Sequence, residues 1–89
     1  MATFRYGIDC DSSDVALDLA KMIEALEIFQ DDLEVSDQRV SLCSNQSLLA
    51  ELEKFSELNS AALAIEVWPS DLDFDEADSS GTLEFYNYG

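Results

Sequence analysis

The chain has 89 residues, with 20 acids against four bases, no His, and a formal net charge of −16 at pH 7. That length suits one domain over residues 1–89, and a 47% hydrophobic content in periodic patterns argues against disorder. Repulsion sets aside direct binding to nucleic acid or anionic membranes, and the missing His removes the commonest general base and transition-metal ligand.

"TFRYGID" alternates, which predicts a strand with Phe4, Tyr6 and Ile8 on one face. The oxygens of "DCDSSD" can cap a helix running from about Asp14 to Phe29. Its buried stripe is Val15, Leu19, Met22, Ile23, Leu26 and Phe29. Asp14, Asp18, Lys21 and Glu24 face outward, with Leu17 and Ile28 exposed among them. "LEV" and "RVSLC" around "SDQ" predict a hairpin with Leu33, Val35, Val40 and Leu42 inward.

Ser44 or Asn45 can cap a second helix that ends near Leu58. Leu48, Leu49, Leu52 and Phe55 form its stripe, while Glu51, Glu53, Lys54 and Glu57 face water. "ALAIEVW" and "TLEFYNY" predict two more strands, with Leu63, Ile65, Val67, Leu83 and Phe85 inward. The order β-α-β-β-α-β-β implies an α+β fold. Two helices cover one face of a four- or five-stranded, mainly antiparallel sheet, as a ferredoxin-like variant. The same alternation puts Arg5, Gly7, Ala62, Ala64, Glu66, Trp68, Glu84, Tyr86 and Tyr88 on the far side. There Trp68, Tyr86 and Tyr88 form a secondary interface or shield the open sheet.

Catalysis finds little to work with. No Ser-His or Cys-His pair is possible, and three glycines with four bases make no phosphate loop. Paired carboxylates exist, but scattered acids give no sign of a cleft, so neither enzyme activity, metal nor cofactor is expected. Cys10 and Cys43 lack metal-site spacing and read as reduced, semi-buried strand-end residues, with a disulfide left open. No apolar run is long enough to span a membrane, and "MATFRYG" has no signal-peptide pattern, so a cytoplasmic chain is expected.

The densest charge lies in an acidic loop at 69–81, where Asp71, Asp73, Asp75, Glu76 and Asp78 fall within eight residues. "DLDFDEADSSGT" starts like an EF-hand loop and then departs from it. Glu76 stands where the tight-turn Gly belongs, and Thr82 where the bidentate Glu belongs. An extended backbone instead spaces Asp71, Asp73 and Asp75 about 6.6 Å apart on one side, as a row of anions. Asp14, Asp18 and Glu24 of the first helix complete the expected partner-binding surface.

The net charge has a scale. A domain of this length is roughly 30 Å across, and duplex DNA carries about 18 charges over that span. In size and charge, though in no sequence motif, the chain resembles small phage-encoded inhibitors that mimic DNA, of the anti-CRISPR and anti-restriction kind. The resemblance implies occupation of the basic nucleic-acid channel of a host defence complex by steric and electrostatic competition. An immunity protein against a basic nuclease toxin shares these electrostatics. An assembly module using Trp68, Tyr86 and Tyr88, or adaptation to high salt, also accommodates the composition.

Overall fold

The computed structural model describes residues 3–26 and 30–89. The elements are β1 (Phe4–Cys10), α1 (Ser13–Ala25), β2 (Asp31–Ser36), β3 (Arg39–Ser44), α2 (Leu49–Asn59), β4 (Leu63–Pro69), α3 (Phe74–Ser80) and β5 (Glu84–Tyr88). The five strands form one antiparallel sheet in the order β2-β3-β1-β4-β5. The first four strands have the ferredoxin-like arrangement, and β5 extends it at the β4 edge. The expected α+β architecture is present, with a third helix added.

Alternation does what it should on the central strands. Tyr6 and Ile8 stand opposite Leu42 and Val40 on one side and opposite Val67 and Ile65 on the other. All six are buried under Leu19 and Ile23 of α1 and Leu52 and Phe55 of α2. Ala16 and Ala20 are buried too, while Val15, Met22 and Leu26 only flank the core. Small residues let α1 lie close to the sheet, so its contact stripe is shifted from the one that large side chains marked. Phe29 and Ile28 lie outside the described residues, as does the end expected for the first helix. On the edge strand β2, Val35 faces the core side but remains 37% exposed, because no further strand covers it.

α2 starts differently from expectation. Ser44 ends β3 and is fully buried, and its Oγ accepts from the Gln46 N–H. The N-cap is Leu48, whose side chain can cap nothing. Tyr6 stands in: its hydroxyl donates to the Gln46 carbonyl at 3.0 Å and accepts from the Leu48 N–H at 3.3 Å. A central core residue thus ties down the entry to α2. Tyr6→Phe leaves both backbone groups without that partner and should cost about 1–3 kcal/mol in urea unfolding. A loss within experimental error would show that the hydroxyl does not hold this corner.

The cysteines are both free and buried, and they do not pair. Cys10 faces the helices opposite Leu63, whereas Cys43 lies opposite Arg5 on the other face. Burial first, then the charges of Asp9 and Asp11, push the Cys10 thiol up to about 11. In the unfolded chain it ionises near its ordinary value of about 8.5. The folded state therefore holds its proton longer, and that contribution is complete below about pH 8.5 and lost as pH rises toward 11. Wild type should lose about 1–2 kcal/mol more than Cys10→Ala between pH 8 and 11. Equal slopes in the two proteins would remove Cys10 from the alkaline limb.

Candidate partner-binding surface

The stretch at 69–81 is not an extended row of acids. Residues Phe74–Ser80 form α3, and the Asp73 side chain caps it. Asp73 Oδ1 accepts from the Glu76 N–H at 2.8 Å, and Glu76 Oε1 accepts from the Asp73 N–H at 3.3 Å, a reciprocal capping box. Gly81 ends the helix at φ 77°, in the left-handed region, and Thr82 N–H returns to the Ala77 carbonyl. The signal was present in the sequence as Asp73-x-x-Glu76 followed by Gly81. It was obscured because the same acids begin a calcium-loop pattern. With Asp73 turned inward as a cap and Asp75 on the helix, the even spacing of Asp71, Asp73 and Asp75 does not exist. Among the described residues, no group of three His, Cys, Asp or Glu side chains is arranged to hold a metal ion.

Phe74 and Ala77, one turn apart, form the inward side of α3. The Phe74 ring meets Trp68 edge to face, with centroids 5.5 Å apart at 89°. Trp68 lies opposite Arg5 on the sheet face turned away from α1 and α2, and α3 leaves it only 7% exposed. Tyr86 and Tyr88 are on the other side. They stand opposite Ile65 and Leu63 and pack against the core. Trp68, Tyr86 and Tyr88 therefore form no common interface. Phe85 takes the open face beside Glu66 and is 62% exposed, contrary to its expected burial. The cause is register: α3 sets where β5 begins, and a shift of one residue exchanges every side chain between faces.

The rest of the open face is ionic. Arg39 Nη1 sits 3.0 Å from both Asp9 Oδ1 and Glu66 Oε1. Burial alone would lower the Arg39 pKa, but the hydrogen bonds and charges of Asp9 and Glu66 outweigh it and move it upward. Gly7 makes room for this pairing, since a Cβ there would strike the Arg39 guanidinium. Arg5 pairs with Asp32 at 3.4 Å, at the irregular start of β2 where Asp32 has φ 53°. Arg5 and Arg39 are thus turned to internal acids.

The expected acidic surface is also divided. α1 begins beyond Cys10, at the sheet end marked by Leu63, and lies on the helical face. α3 follows Pro69 at the opposite end, where Phe4 pairs, and rests on the other face against Trp68. Asp14 and Asp18 on α1 are consequently remote from Asp71, Asp73, Asp75, Glu76 and Asp78. Glu24, near the C-terminus of α1, shares the sheet end of α3 but not its face. Every described carboxylate except those of Glu51 and Glu66 belongs to an exposed residue. No family model matches the chain, no curated protein matches its sequence, and no solved structure matches its fold.

Proposed function

We propose that the protein is a non-enzymatic acidic inhibitor that mimics nucleic acid and blocks the basic nucleic-acid-binding surface of a host defence complex, as anti-CRISPR proteins do. The observation that carries this reading is the exposure of almost all described acids on a body measuring 34 × 25 × 22 Å. Over 34 Å a DNA duplex carries roughly 20 phosphate charges, close to the −16 of the chain. Because the α1 and α3 acids lie on opposite faces, a flat basic patch cannot meet both sets. A Lys/Arg-lined channel that closes around the body can. The setting that follows is the cytoplasm of an infected bacterium. For the membrane, the structural observation is that no helix of the described residues is long and apolar enough to cross one.

The test is capture of purified basic nucleic-acid-binding complexes on the immobilised protein, with and without a competing DNA duplex. Binding should be displaced by the duplex and should fall steeply as salt rises, since attraction between exposed charges is screened. Capture that persists beside bound duplex would sink the mimic reading. Selective capture of a basic nuclease toxin would favour an immunity protein instead.

A further inference from the structure

Between α1 and α2 the helical face opens into a groove of about 480 Å³. Met22 of α1 and Leu26 just past its end face it from one side, and Phe55 and Leu58 of α2 from the other. Leu58 is 75% exposed, a large apolar side chain in a strongly charged surface. Asp18 and Glu51 line the same groove, with Lys54 its only base among the described residues. On each side the lining spans nine residues, hence eight helical rises, from Asp18 to Leu26 and from Glu51 to Asn59. At about 1.5 Å per residue the groove is roughly 12 Å long, two turns of a helix.

Glu51 Oε2 is buried with no hydrogen-bond partner among the described residues. That oxygen is closed to solvent, so what Glu51 offers an occupant of the groove is its charge. The charge selects the occupant. A second copy of this chain would bring another −16 to an already acidic surface, and lipid headgroups of negative charge would be repelled likewise. A cationic segment is instead attracted, both by the net charge and by Asp18 and Glu51 in the lining.

We propose that this groove seats two turns of a basic amphipathic helix from a partner protein. Its apolar residues rest on Met22, Leu26, Phe55 and Leu58, and its Lys or Arg groups reach Asp18 and Glu51. This deepens the inhibitor reading and rests on it for the basic character of the partner. It adds an apolar anchor to an otherwise ionic contact, and with it selectivity that charge does not supply.

The probes are two synthetic peptides of about 14 residues, made of Leu and Lys in identical composition. One places its leucines on a single helical face, and the other scrambles them. Titrated by fluorescence anisotropy at physiological salt, the amphipathic peptide should bind at least about tenfold tighter, a difference of about 1.4 kcal/mol. Leu58→Ser, at an exposed position that the fold does not need, should erase that preference while leaving the scrambled peptide unaffected. Met22→Gln, checked by thermal unfolding, should reduce it. Equal affinity for both peptides, or a preference that survives Leu58→Ser, would overturn the groove. If that equal binding disappears in high salt, the groove fails while the inhibitor reading stands. Failure of both peptides to bind even at low salt would count against both.

Discussion

Reversing Asp71, Asp75 and Asp78 together to Lys should weaken binding to a basic nucleic-acid-binding complex by about 30- to 1000-fold, and leave the fold intact. Each single reversal should cost little, because an exposed ion pair contributes only about 0–1 kcal/mol. Three neighbouring reversals replace attraction by repulsion at one spot, which brings the expected loss to about 2–4 kcal/mol. Asp73 is left out of the set for a structural reason. Its carboxylate caps α3, so its reversal would confuse a lost contact with a lost helix end.

The matched variant reverses Asp14, Asp18 and Glu24 on the opposite face. Each reversal adds two charges, so both triple variants move from −16 to −10 and differ only in place. Near the N-terminus of α1, Asp14→Lys opposes the helix dipole, while Glu24→Lys near its C-terminus favours it, so the helix is nearly compensated. A channel that closes around the body predicts a comparable loss from either set. A large loss from one set and none from the other would restrict the partner to a single face. Binding indifferent to both sets and to salt would remove electrostatics from the recognition altogether.

Leu52→Ala should lower the unfolding free energy by about 2–5 kcal/mol, the cost of a large-to-small change where the side chain is fully buried. For a chain of this length the whole stability is of order 4–13 kcal/mol, so the variant is left with a narrow margin. Against that margin stands the self-repulsion of a surface at −16. The variant should therefore be largely unfolded in dilute buffer and regain structure as salt screens its charges, followed by circular dichroism. Wild type, with the intact core of β1, β3, β4 and both long helices, should stay folded at physiological ionic strength. Wild type that unfolds in dilute buffer and refolds only in concentrated salt would reassign its acidity to life in brine.

Much of the fold was legible from residue patterns, because the signals concerned are local. Tyr6, Ile8, Val40, Leu42, Ile65 and Val67 show a period of two. Leu19, Ile23, Leu52 and Phe55 mark the helix faces that cover them. The acids are legible in the same way, since charge of that density has nowhere to reside but the surface. The entry to α2 was not legible, because the group that holds it is the hydroxyl of Tyr6, distant in sequence. The face assignment of β5 failed for a related reason. A strand of period two has two self-consistent readings, and only the length of α3 and the docking of Phe74 on Trp68 choose between them.

The same division runs through the candidate site. The sequence by itself determined the amount of charge, the absence of His and the identity of the acidic stretch, all of which are sums over residues. Only the tertiary structure decided which acids lie together. It turned Asp73 into a helix cap, joined Arg39 to Asp9 and Glu66 across three strands, and set the α1 and α3 acids on opposite sides of one sheet. Such groupings depend on strand order and register, which arise from contacts between residues far apart in the chain, and no local pattern of charges encodes them.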